Sequence, residues 1–201
     1  TKYIKATLAS NFGNFYAVAI ASLLIDFLPM LPLQILLLNL LSDFPMIAVA
    51  TDNVDPEELL SPKKYQVKDI IIIAMILGIV SSVFDFMFFA MFYSISPEVL
   101  QTNWFIASIL TELVFLFSIR TKKPLFKAKR PSNLILILSG LAIIITVILP
   151  FTEIGRTLFK FAKPSIYHLI IIFAVTILYL LCSELVKLVY YKNQDKKITV
   201  N

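Results

Sequence analysis

The sequence predicts an all-α fold of the polytopic membrane class, a bundle of six transmembrane helices, and three observations carry that prediction. Of the 201 residues, 59% are hydrophobic and only 15% charged, which is too apolar for a domain with a wetted surface. Runs of roughly 20 mostly apolar residues, the length that crosses a bilayer, recur six times, and most charges collect in the segments between them. Lys and Arg are unevenly shared: with six crossings, fifteen of the 18 fall on one side and only Arg156, Lys160 and Lys163 on the other. Positively charged loops stay on the cytoplasmic side, so both termini are expected in the cytoplasm.

The first two spans are expected near residues 4–28 and 31–50. The short connection around Pro29 to Pro32 makes them an antiparallel hairpin, with the prolines supplying the break. The third span follows near 70–95, after a polar stretch holding Lys63, Lys64 and Lys68, and the fourth near 101–119. A basic loop with Arg120, Lys122, Lys123, Lys127, Lys129 and Arg130 leads to spans near 134–150 and 166–189. The chain thus divides into a helical hairpin over residues 1–50, a cytoplasmic loop over 51–69 and a supporting four-helix bundle over 70–201.

The first residue is Thr1, and no cleavable leader pattern precedes the first apolar run, which reads as a piece of a longer polypeptide. A single cysteine, Cys182, excludes an internal disulfide. The net charge of +5 does not point to nucleic acid, because the basic residues flank apolar runs and lack the interleaved aromatics of a base-stacking surface. No internal repeat suggests an inverted-repeat transporter.

Polar residues inside spans are costly, commonly ~2.5 to 3.5 kcal/mol for a charge on insertion scales, and so suggest function. At ~1.5 Å rise per residue, Asn11 and Asn14 on the first span, Asn39, Ser42 and Asp43 on the second, and Glu112 on the fourth all reach the middle of the hydrocarbon layer. Asn39 and Asp43 are four apart and share a helix face. Pro45 cannot donate a backbone hydrogen bond and clashes with the carbonyl of Leu41, so a helix break freeing backbone oxygens is expected beside Asp43. Oxygen ligands of this kind suit a hard cation such as Mg²⁺ or Ca²⁺.

Plainer roles compete. Asn and Ser between membrane helices often serve only as interhelical hydrogen-bond glue, and Glu112 can be a protonated carboxyl bonded to a neighbouring helix. Asp85 and Asp26 are candidates for an exit path. Glu184 and Lys187 read as a local i,i+3 pair. His168 and Trp104 read as headgroup anchors, and Cys182 as a packing residue. The basic loop reads as topology with a secondary contact to anionic lipid.

Several segments resemble the C-terminal membrane region of P-type cation-transporting ATPases. They are Ser10-Asn11-Phe12-Gly13-Asn14, Leu31-Pro32 leading to Asn39-Leu40-Leu41-Ser42-Asp43, and Asp52-Asn53-Val54-Asp55. Ser81-Ser82-Val83-Phe84-Asp85, Trp104-Phe105-Ile106, Arg120-Thr121-Lys122-Lys123-Pro124 and Pro150-Phe151 with Gly155 look most like the magnesium-transporting subgroup. The resemblance implies the fifth to tenth helices of a full pump, with phosphorylation, nucleotide-binding and actuator domains upstream in the same polypeptide. It also implies that Asn11, Asn14, Asn39, Ser42 and Asp43 bind the ion, and that Glu112 stands where calcium pumps use a ligand.

Asn14 stands where calcium pumps have a carboxylate and Phe44 where they usually have Gly, which favours Mg²⁺ over Ca²⁺. Mg²⁺ is then both the transported ion and, in the full-length pump, the partner of ATP. With Asp43 and Glu112 as the only acids counted, one divalent ion is expected. The chain carries no catalytic residue of its own: it lacks the family's Asp-Lys-Thr-Gly motif, and its four glycines form no phosphate loop. An autonomous six-helix channel or secondary transporter is the alternative, as is a purely structural support bundle.

Overall fold

The computed structural model describes residues 2–55 and 67–199, with the side chains at positions 2, 5, 11, 14 and 195–199 excepted. The described residues form helices and turns without strands. The helices are α1 (Lys2–Leu24), α2 (Pro32–Ile47), α3 (Val67–Phe92), α4 (Pro97–Ile119), α5 (Asn133–Ile148), the short α6 (Glu153–Thr157) and α7 (Ile166–Thr199). All but α6 are long and apolar enough to cross a membrane. The six expected spans are therefore present, on a chain whose basic residues at 63 and 64 lie outside the described residues.

Local chemistry sets most helix starts. The Ser96 hydroxyl accepts the Val99 N–H at 3.2 Å, with Pro97 in the first turn and Glu98 beside the positive end of the helix dipole. Ser132 caps α5 by accepting from Ile135 N–H at 3.3 Å, and Ser165 accepts from His168 N–H at 3.1 Å at the start of α7. Before α2, Gln34 reaches back to accept the Leu31 N–H at 3.0 Å and donates to the Phe159 carbonyl at 2.8 Å.

Two ends differ from the predicted boundaries. α1 stops at Leu24, four residues early, because the chain before Pro29 leaves the helical region and the Leu28 carbonyl accepts a 2.7 Å hydrogen bond from Gln101 on α4. α7 continues to Thr199, since the apolar run marks the membrane thickness and not the end of the helix.

α4 is the axle of the bundle and packs on α1, α2, α3, α5 and α7. Every residue from 100 to 113 is buried, the signature of a helix enclosed on all sides. Leu100, Phe105, Ile106, Ala107 and Ile109 are fully buried there, joined by Phe88 and Phe92 of α3. The more apolar α5 and α7 lie outside it, with wide faces open to lipid.

α1 rests mainly on α3 and barely touches α2, so the first two spans form a hairpin in chain path without sharing an extensive interface. Small residues allow the close approach, as in many membrane helix pairs: Ala6, Ala9, Gly13, Ala17 and Ala21 are buried along α1, facing Ala74 and Gly78. Ser82 lies across the contact, donating to the carbonyls of Gly78 at 3.0 Å and Gly13 at 3.3 Å.

At the opposite edge, Gly155 of α6 is pressed against the turn before it. A Cβ at this position would meet the Leu149 carbonyl oxygen at 2.0 Å, a backbone atom fixed by the hydrogen bonds from Thr152. Gly155→Ala is expected to displace the 149–165 connection and lower stability by about 1–3 kcal/mol, read as a fall in the thermal unfolding temperature of the purified protein.

Candidate cation site

The candidate residues fall into two groups. On α2, Gln34, Leu38, Leu41, Ser42 and Pro45 form the buried face, while Asn39 and Asp43, one turn apart, are both exposed on the neighbouring face. The predicted sharing of one face by Asn39 and Asp43 is present, and that face is open. Ser42 is turned about 100° from Asp43 by the helical step, and its hydroxyl lies 3.5 Å from the Asn39 carbonyl.

The expected break at Pro45 is corrected by the structure. The helix runs through Pro45 to Ile47 and only then tightens into a 3₁₀ turn over Ala48–Thr51. Pro45 removes one rung of the ladder, but Pro45 and Met46 are buried against the bundle, and that packing holds the helical path.

Glu112 belongs to the second group. It is 7% exposed and accepts a 2.7 Å hydrogen bond from Ser10 on α1. It lines a small internal cavity of about 10 Å³ with Ser10, Ser81 and Asp85, Ser108 and Tyr179, between α1, α3, α4 and α7. Asn39, Ser42 and Asp43 do not line it. Asn11 and Asn14 have side chains outside the described residues; position 14 follows Ser10 by four and so lies on the same face of α1.

Asp85 is the buried acid whose surroundings the sequence did not disclose. It is 5% exposed, and its Oδ1 accepts the Trp104 indole N–H at 2.8 Å. Trp104 is itself buried and stacks edge-on to Phe89, so the headgroup role predicted for it is replaced by a core one. The signal was present in principle: an indole N–H in an apolar interior needs an acceptor, and Asp85 is the acid within the neighbouring span. His168 is also turned inward, 3.1 Å from the Asn103 amide and packed on Phe92.

At the end of the bundle that holds Arg120, the chain leaving α2 is stitched to the loop between α4 and α5. Arg120 is buried and ion-paired with Asp52 at 3.2 Å, and its guanidinium also donates to the Lys129 carbonyl. Asp55 accepts from the Thr121 hydroxyl at 2.7 Å and the Lys129 N–H at 2.9 Å, and Asn53 donates to the Arg130 carbonyl at 2.9 Å. Arg120 is thus a structural partner and not only a topological charge, whereas Lys122, Lys127, Lys129 and Arg130 remain exposed.

The Glu184–Lys187 pair is present at 2.7 Å and reaches further than a local contact. Lys187 is fully buried and donates to the carbonyls of Ser118 and Lys123 at 2.9 and 3.0 Å. Glu184 accepts from the Ser118 hydroxyl at 2.5 Å and the Leu125 N–H at 2.8 Å. Together they cap the end of α4 from α7.

Six apolar helices enclosing hydrogen-bonded carboxylates define an integral, multi-pass membrane domain. Within that class the chain belongs to the cation-transporting ATPase C-terminal family, whose model matches residues 27–189. It is 34% identical over 193 residues to the magnesium-transporting ATPase, P-type 1, of Salmonella typhimurium strain LT2 and to that of Escherichia coli strain K12. In each case the match covers 92% of this chain and 21% of the relative. It is also 29% identical over 159 residues to the calcium-transporting ATPase of Bacillus subtilis strain 168, covering 73% of this chain and 18% of that one. The chain spans about a fifth of the length of the curated relatives it matches.

Proposed function

We propose that this chain is the cation-translocating membrane region of an ATP-driven P-type pump, with Mg²⁺ as its cargo. The observation that carries the reading is the open face of α2, where Asn39 and Asp43 stand exposed at mid-span in a member of this ATPase family. Against lipid such a face is costly, so it is a surface for preceding helices of the same polypeptide to cover. Covered, it joins Ser42, the amides at Asn11 and Asn14, and Glu112 as oxygen ligands for a hard cation. Residues 1–50 then supply all the ligands but Glu112, and 70–201 contribute Glu112 and brace them.

The basic end with Arg120 faces the cytoplasm by its charge, beside upstream phosphorylation, nucleotide-binding and actuator domains. Those domains cycle through an aspartyl-phosphate formed from Mg²⁺-ATP, and the site is rearranged as they do. The Asp52–Arg120 pair and the Asp55 hydrogen bonds give the end of α2 a fixed anchor on the rest of the bundle. Mg²⁺ is preferred as cargo because relatives 34% identical to this chain over 193 residues carry magnesium transport in their names.

The reading is tested by Asp43→Asn in the full-length pump. Metal-stimulated phosphorylation and vesicle uptake are expected to need at least about tenfold more Mg²⁺, the scale on which even indirect partners of a metal alter its affinity. Unchanged metal dependence would remove Asp43 from the site. An autonomous channel, by contrast, predicts ion flux from residues 1–201 alone in liposomes.

A further inference from the structure

We propose that the connection between α5 and α7, residues 149–165, anchors anionic phospholipid headgroups in the leaflet opposite Arg120, with Arg156, Lys160 and Lys163 on the phosphates and Ile154 and Leu158 in the acyl boundary. Such an anchor needs only that the chain spans a bilayer, and so stands apart from the pump reading.

The inner side of this connection is fixed to the bundle. Gly155 and Pro164 are buried, and Phe161 is 3% exposed, packed on Phe105 of α4. The Ala162 N–H donates to the Thr102 hydroxyl at 2.8 Å. The Phe159 carbonyl accepts from the Gln34 amide of α2, and the Phe161 N–H donates to the Gly155 carbonyl at 3.1 Å. Between those two bonded residues Lys160 holds a left-handed backbone, with φ at 57°, which a non-glycine residue keeps only where its surroundings impose it. What faces outward is therefore set by the fold.

Two unlike sets face outward. Ile154 is 62% exposed and Leu158 56%. Arg156, Lys160 and Lys163 are exposed beside them, with no ion pair among the described residues and with Glu153 as the only acid of the segment. Membrane topology gives no reason for these three cations. Positive charge gathers on one surface of a membrane, and the connection lies one crossing of α5 away from Arg120, Lys127 and Arg130. Apolar side chains beside unpaired cations at the end of a span match a headgroup layer, where an apolar face sinks into the acyl boundary and basic groups bind anionic lipid. Lipid is also the neighbour that this position supplies. α5 and α7, which the connection joins, keep wide apolar faces open, whereas the polar face that needs protein cover lies on α2.

A spin label at Leu158→Cys in the full-length protein, with its native cysteines replaced, tests this in nanodiscs of phosphatidylcholine with and without phosphatidylglycerol. Power saturation against oxygen and a water-soluble nickel chelate is expected to place the label ~5 to 10 Å into the boundary between headgroups and acyl chains. It is expected to sit deeper and move less when phosphatidylglycerol is present. Arg156→Gln and Lys163→Gln are combined with Lys160→Asn, since Asn suits a left-handed backbone; all three replace exposed side chains, so the fold is kept. In this triple variant the difference between the two lipids is expected to vanish. Inorganic phosphate added to phosphatidylcholine discs should leave the label unmoved; if it reproduces the effect of phosphatidylglycerol, the cations bind free anions and the lipid assignment falls. A label reached by the nickel chelate, or shielded from both relaxants by protein, overturns the anchor. So does a depth that responds neither to phosphatidylglycerol nor to the three substitutions. None of these outcomes bears on Asp43→Asn, which tests the pump reading separately.

Discussion

Lys187→Met is expected to destabilise the bundle by about 3–5 kcal/mol, the cost of breaking a buried charge pair from one side. The Lys187 ammonium is fully buried and spends its three donors on Glu184, Ser118 and Lys123. Ser118 and Lys123 flank the point where α4 ends and the 120–132 loop begins, so this side chain from α7 satisfies carbonyls that the helix terminus leaves open. Methionine matches the stem in volume but leaves the Glu184 carboxylate without its cation and both carbonyls without a donor. Removing the acid as well, in Lys187→Met with Glu184→Leu, is expected to restore part of the loss, because the unpaired charge disappears. Lys192→Met, an exposed lysine on the same helix, should stay within about 0.5 kcal/mol of wild type. Denaturant unfolding in detergent measures all three. A loss below about 1 kcal/mol for Lys187→Met would mean that its amine is hydrated and that the cap on α4 contributes little.

This node shows what the sequence could and could not reveal. The spacing of Glu184 and Lys187 is enough to read an i,i+3 pair, since neighbours on a helix face are fixed by the 3.6-residue period. That the pair closes the end of another helix depends on α7 lying beside α4, which no spacing along one segment encodes. The six spans were legible for a similar reason: apolar runs and basic flanks are local signals. Asn39 and Asp43 share a face for local reasons too, but which way that face points is set by what covers α2.

Burial order was harder to read. α4 contains Gln101, Thr102, Asn103, Ser108, Thr111 and Glu112, all of them buried, and in a lipid solvent a span with polar groups on every face is better enclosed than exposed. That inference needs the six spans weighed against one another, whereas Trp104 and His168 were placed by depth alone and so were sent to the headgroups. Depth and direction are independent: Trp104 lies toward one end of its helix and still faces Asp85. Pro45 illustrates the converse, a local rule overruled by packing. The missing N–H predicts a break, but the burial of its ring and of Met46 holds the helix together for two more residues.

Gly78→Leu is expected to separate α1 from α3, at a cost of about 3 kcal/mol or more, the upper range for overpacking a close contact. A Cβ on Gly78 would lie 3.0 Å from Phe12 Cβ, 3.3 Å from the Gly13 nitrogen and 3.4 Å from the Ala9 carbonyl oxygen. Two of these are backbone atoms of α1, held in the helical ladder, so the three carbons beyond a leucine Cβ have no flexible neighbour to push aside. α1 must move as a body. It carries Ser10, whose hydroxyl meets Glu112, together with positions 11 and 14, so a shift of the helix also pulls the proposed ligands out of register. Metal-stimulated phosphorylation of the full-length pump is therefore expected to fall along with stability. Gly140→Leu on α5 provides the control, because nothing lies within 4 Å of a Cβ built there. Replacing glycine by a better helix former at an open position should raise stability by up to about 1 kcal/mol and leave metal dependence unchanged. If Gly78→Leu unfolds at the same temperature as wild type, α1 does not rest on α3 through the Gly13–Gly78 contact, and the position of Ser10 against Glu112 needs another support.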